Sequence, residues 1–182
     1  VSIMQNMNQH KGDNSHREQI LKGAISHLEF CVSLYKYQIA QGRYFLHEHP
    51  AGASSWREPC IQAMYHEPRV GAVIGHMCMQ GMTSQAGHPV RKATRWMSNS
   101  QCILYELSVR RDRSHIHETL LQGRASRAAI WPLKLCHTIL RGLRTQLTYD
   151  GHVCLNEFGT HLQEEGHSEW VEAVSYTHLT LP

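Results

Sequence analysis

Apolar residues recur at alternating steps of four and three from Leu21 through Ile25, Leu28, Val32, Tyr35 and Ile39, one stripe at helical spacing. Ahead of it, Ser15 and Glu18 have the spacing of a capping box, in which each side chain satisfies a backbone N–H at the helix start. Behind it, Gly42 stands where a left-handed residue closes a helix. The pattern predicts a helix from about Ser15 to Gln41. The period then changes. Tyr44, Phe45 and Leu46 form a short uninterrupted apolar run, which predicts a strand buried on both faces over Arg43 to His47, stopped by Pro50 and Gly52. Ser55 and Glu58 repeat the capping-box spacing, with Pro59 in the first turn where its missing N–H is harmless. A short helix to about His66 follows from that.

Val70, Val73, Ile74 and Met77 predict a second buried strand within 70–79, and Gln80 to Pro89 reads as a turn-rich connection. Thr94 to Ser98 is the third predicted strand. Ser100 caps a predicted helix from Gln101 to about Val109, with Ile103, Leu104 and Leu107 inward. Arg110 to Gly123 is a polar connection. Ala125 to Leu147 is predicted helical, interrupted at Pro132, with Leu135, Ile139 and Leu143 as its stripe. Beyond Tyr149 the pattern degrades, and Leu155 to Val171 is only loosely helical. Helix, buried strand, helix and buried strand in succession imply an α/β fold with a parallel sheet and right-handed crossovers. In such sheets ligands collect at the carboxyl ends of the strands, and Glu48 falls at one of those ends.

Composition narrows the class without naming a function. Hydrophobic residues at 41% and charged residues at 18% over 182 residues describe one ordinary globular domain, or most of one, with a real core. A net charge of +3 is too small to indicate nucleic-acid binding by itself. The basic residues do cluster, at Arg91, Lys92 and Arg95, at Arg110, Arg111 and Arg113, and at Arg141 and Arg144, although such runs are usually solvated faces. Six cysteines form no C-x-x-C pair and sit mostly in apolar segments as small hydrophobes. With no signal peptide and no long apolar span, an intracellular compartment, cytoplasmic or nuclear, and no membrane are expected.

Candidate chemistry centres on the stretch RYFLHEHPAGASSW over 43–56. His47 and His49 share a face of an extended strand, but two ligands do not close a tetrahedral metal site and H-E-x-x-H is absent. His115 and His117 pose the same question with no cysteine nearby in sequence to complete a set, so no metal is expected. Cys78 reads as core packing, since no spaced base is evident. Trp56 and Trp96 read as core or rim aromatics. Trp96, beside Lys92 and Arg95, is also placed to stack on a nucleotide.

Gly42 to Pro50 resembles the strand of DNA cytosine carbon-5 methyltransferases that ends in Glu-Asn-Val. It is closer still to a divergent methyltransferase-like group of phages and mobile elements, whose strand ends Glu-His-Pro before a small-residue loop and Trp. Lys92 to Asn99 resembles that group's Lys-x-Thr-x-Phe/Trp-x-x-Asn segment, and Gly123 with Trp131 to Cys136 its Gly-Arg-Ala…Pro-x-x-Leu-Cys helix. The resemblance spans roughly Gly12 to Gly142. It implies a Rossmann-like, doubly wound parallel sheet with flanking helices, truncated at its N-terminal side. It further implies that Glu48 is the acid contacting a flipped-out cytosine, and that Arg91, Lys92 and Arg95 are candidate contacts to DNA. S-adenosylmethionine is the cofactor and DNA the partner implied for the parent protein. The family's Pro-Cys loop and glycine-rich cofactor loop are not in the chain, and His49-Pro50 replaces the usual Asn-Val. The expectation is therefore a fragment, inactive alone, with residues 1–150 its methyltransferase-like portion and 151–173 a poorly defined tail. Residues 174–182 resemble translated sequencing adapter. The alternative is a non-catalytic interaction or scaffold domain of a mobile element.

Overall fold

The computed structural model describes residues 14–84, 86–111, 115–117 and 130–152. Helix α1 spans Asn14–Ala40 and closes on Gly42, whose φ is +67°. The Gly42 N–H donates to the Ile39 carbonyl at 3.0 Å and the Arg43 N–H to Gln38 at 2.8 Å. This is the left-handed close the glycine predicted. The side chains of the Ser15 capping box lie outside the described residues.

Strand β1 is Leu46–Pro50, three residues later than the apolar run suggested. The reason is Asn99. Its side-chain oxygen accepts from the Phe45 N–H at 3.1 Å and its amide donates to the Arg43 carbonyl at 2.9 Å, so 43–45 is tied to the sheet by a side chain and not by the strand ladder. Glu48 is consequently inside β1, opposite Trp96, two residues before the strand's carboxyl end. A 3₁₀ turn at Ser54–Arg57 leads into helix α2, Pro59–Met64, with Glu58 at its N-cap. The capping box expected at Ser55 does not form, because the Ser55 hydroxyl hydrogen-bonds His49 Nδ1 instead.

Strand β2 is Gly71–His76, followed by a 3₁₀ turn at Met77–Gln80. Strand β3 is Ala93–Ser98 and helix α3 is Gln101–Leu107, capped as predicted by the Ser100 hydroxyl accepting from the Ile103 N–H. Helix α4 is Leu133–Tyr149, starting after Pro132. The helix expected over Ala125 to Ala129 and the segment Leu155 to Val171 lie outside the described residues.

The three strands run in the order β1-β3-β2, and β3 is antiparallel to both neighbours. The fold is thus mixed α/β with a three-stranded antiparallel sheet and flanking helices; among the described residues no two adjacent strands are parallel. This corrects the expected parallel sheet. β1 and β2 do point the same way, with α2 between them in sequence, but β3 is inserted between them in space. An apolar run reports that both faces of a strand are covered, and says nothing of which way its neighbour runs.

As the central strand, β3 carries adjacent residues into two cores. Trp96 faces Met77, Val90, Leu104 and Leu135 on the α3–α4 side, and Met97 faces Phe45, Trp56, Ile61 and Met64 on the α1–α2 side. Each such fully buried apolar side chain contributes roughly 1.5–3 kcal/mol.

Candidate functional site

The antiparallel insertion brings the carboxyl ends of β1 and β2 and the start of β3 to one edge of the sheet. His76 lies opposite Ala93 there, and Pro50 opposite Thr94. The sequence candidates divide around this edge by strand parity.

Glu48, Lys92, Thr94 and Trp96 share the face covered by α3 and α4. Lys92 Nζ lies 3.6 Å from Glu48 Oε1, with the two side chains 23% and 21% exposed. That ion pair is longer than a hydrogen bond. Glu48 Oε1 and Thr94 Oγ1 are both buried and hydrogen-bond to no protein group. A buried carboxylate oxygen without a donor is costly, so this face carries unsatisfied acceptor capacity beside one cation. Trp96 is 1% exposed, packed edge-on to Trp131 at 5.9 Å, which removes it as a stacking platform.

Arg95 points to the opposite face. Its guanidinium carbon lies 5.2 Å from the centre of the Trp56 ring, a cation–π arrangement, next to His49. The structure therefore groups Lys92 with Glu48 and separates Arg95 from both. Arg91 is exposed just before β3; burial first, and then the Arg91 charge, lowers the basicity of His76.

His47 and His49 share a face, as the spacing predicted, but do not converge on a common point. The His47 ring is buried between Tyr35 and Trp56 and its Nδ1 hydrogen-bonds the Tyr35 hydroxyl at 2.9 Å. Burial, assisted by His49, lowers its pKa to about 4. The same desolvation raises Tyr35 to about 12. His47 is a neutral core histidine. His49 is also held below the usual imidazole value, chiefly by burial.

A third cluster was missed by sequence reasoning. His76, at the end of β2, donates its N–H to the Val109 carbonyl at 3.0 Å and accepts from the Arg111 N–H at Nδ1, also at 3.0 Å. These bonds pin the chain leaving α3 beside the carboxyl end of β2. Beyond, His117 Nε2 comes within 3.3 Å of Cys78 Sγ and 3.1 Å of His115 Nε2. Cys78 lies in the 3₁₀ turn and not in a strand, and all three residues are half-buried. Desolvation, then His115, Arg111 and Arg91, lower the His117 pKa. The His115–His117 pair was visible in the sequence, but its convergence with Cys78 was not, since the thiol and the imidazoles belong to segments separated by β3 and α3.

The described cysteines are all free thiols, and no helix among the described residues is long and apolar enough to cross a membrane. No family model, curated protein or solved structure matches the chain.

Proposed function

We propose that this chain is the C-terminal part of the catalytic domain of a DNA cytosine carbon-5 methyltransferase-like protein, with Glu48 as the acid that contacts the target base. The observation that supports it is the Glu48 carboxylate in the middle of β1, with a buried oxygen that no protein donor satisfies and Lys92 at 3.6 Å. A cytosine flipped from the duplex presents an exocyclic amine donor beside N3, the complement of such an oxygen. On this reading the three strands are one edge of a larger doubly wound sheet. β1 pairs only with β3 among the described strands, leaving its outer edge available to a further strand.

S-adenosylmethionine is the methyl donor this reading implies, but the described residues do not fit it. No glycine-rich turn leads from a strand into a helix: the left-handed glycines are Gly42, Gly81, Gly87 and Gly151, none of them between β1 and α2. On this reading, cofactor binding and the thiolate nucleophile belong to the parent protein.

The test is methyl transfer to a cytosine-containing duplex by the parent protein, comparing wild type with Glu48→Gln. A loss of about a hundredfold or more is expected, as for removal of one preorganised contact to a reacting group. Equal transfer by the two proteins would remove Glu48 from the mechanism, and no transfer by the wild type would favour the non-catalytic interaction domain.

A further inference from the structure

Three donor atoms from two segments converge on the turn after β2. Cys78 Sγ and His115 Nε2 both approach the same atom, His117 Nε2, at 3.3 and 3.1 Å. A neutral imidazole nitrogen carries either one proton or one lone pair, so it cannot make two good hydrogen bonds in that plane. A cation at the centre of the three satisfies all of them through their lone pairs.

We propose that Cys78, His115 and His117 form a zinc site, with Sγ and the two Nε2 atoms as ligands and the fourth tetrahedral position left to water or another donor. Zinc bonds of about 2.0–2.1 Å to nitrogen and about 2.3 Å to sulfur place tetrahedral ligand atoms about 3.3–3.6 Å apart. The two measured separations fall close to that range, and all three donor atoms lie within 4.8 Å of one another. Small side-chain rotations complete the geometry. The donor set selects the ion: thiolate with imidazole suits zinc, whereas magnesium and calcium require oxygen ligands.

A Cys–His nucleophile pair is the competing reading of the same contact. That chemistry needs the imidazole to be oriented by a third group at its other nitrogen. Here His115 meets the nitrogen that already faces the thiol, which is the arrangement of co-ligands. Arg91 and Arg111 lie close enough to influence His117 and oppose a divalent ion there, while the thiolate charge offsets part of that cost. The His76 bonds to Val109 and Arg111 fix the approach of the second segment. The ion would clasp residues 115–117 to the turn after β2. The proposal stands independently of the methyltransferase reading.

The full chain, stripped with a chelator, is titrated with cobalt(II) and then with zinc. One equivalent of cobalt is expected to give a thiolate-to-metal charge-transfer band that zinc abolishes. Cys78→Ser should eliminate the band, and His117→Gln should weaken binding by about tenfold or more, at least the loss seen when groups behind a ligand are removed. His66→Ala, an exposed histidine following α2 at the opposite end of β2, should change nothing and so separates the site from adventitious binding by the other histidines. Absence of the band in the wild type would overturn the proposal. So would a band that survives Cys78→Ser in a protein with wild-type circular dichroism. If Cys78→Ser does not fold, unchanged affinity in His117→Gln overturns it equally.

Discussion

Gly142 of α4 sits so close to Ile103 of α3 that a Cβ on the glycine would lie 2.7 Å from the Ile103 Cα and 3.1 Å from the Cys102 carbonyl oxygen. The atoms met are backbone, which cannot rotate away. Gly142→Ala should therefore destabilise the chain, even though alanine gains about 1 kcal/mol in helix propensity. Overpacking costs about 1–3 kcal/mol, for an expected net loss of up to about 2 kcal/mol. Gly23, in the middle of α1, has nothing within 4 Å of its would-be Cβ, so Gly23→Ala should stabilise by about 0.5–1 kcal/mol. Urea denaturation of both variants checks the pair; a stabilising Gly142→Ala would mean that α3 and α4 are not in contact there.

The buried His47 makes stability pH-dependent in a defined direction. Its folded pKa of about 4 lies below the unfolded value of 6.5, so between those values the unfolded chain binds a proton that the folded chain excludes. Its contribution is complete above pH 6.5 and is lost as pH falls toward 4, amounting to about 2 kcal/mol by pH 5. His49 and His76, both lowered, act in the same sense. His47→Gln should be less stable than wild type at pH 7, since Tyr35 loses its partner, but the gap should narrow by about 2 kcal/mol at pH 5. A gap constant across that range would show that His47 does not titrate as a buried group.

Periodicity located α1, α3 and α4 because each carries a stripe whose spacing only a helix aligns, and Gly42, Ser100 and Pro132 marked their ends by local chemistry. It failed for β1, where Asn99, distant in sequence, decides which residues join the ladder. It failed also for sheet direction, which depends on how the chain between β2 and β3 returns. The same limit governs the sites. The sequence grouped Lys92 with Arg95, whereas separating them and pairing Lys92 with Glu48 required the register, and joining Cys78 to His117 required the whole path around α3.

Asn99 offers a direct check on that register. Replacing it with alanine leaves the Phe45 N–H and the Arg43 carbonyl without their partners at the edge of the core. The buried Phe45 N–H costs about 1–3 kcal/mol and the part-buried Arg43 carbonyl less, so Asn99→Ala should lose about 2–4 kcal/mol in a urea transition. Asn99→Asp can still accept from Phe45 but cannot donate to Arg43, and should lie between alanine and wild type. Asn99→Ala with wild-type stability would mean that 43–45 is held by other means.

The division of the basic residues by face bears on DNA binding. Each phosphate neutralised by a cation releases counterions, so removing one such contact lowers the slope of log affinity against log salt by about 1. Arg91 is exposed just before β3, whereas Arg95 has its guanidinium over Trp56 on the face opposite Glu48. On the proposed reading, Arg91 is the exposed candidate for a phosphate contact, while Arg95 is engaged by Trp56 on the face away from Glu48. Fluorescence anisotropy with a labelled duplex at several salt concentrations should thus show the slope reduced by about 1 in Arg91→Ala. Arg95→Ala should leave the slope unchanged and instead cost about 0.5–1 kcal/mol of stability through the lost cation–π contact. If Arg95→Ala moves the slope and Arg91→Ala does not, the nucleic acid lies on the α1–α2 face, out of reach of Glu48, and the base-contacting role falls with it.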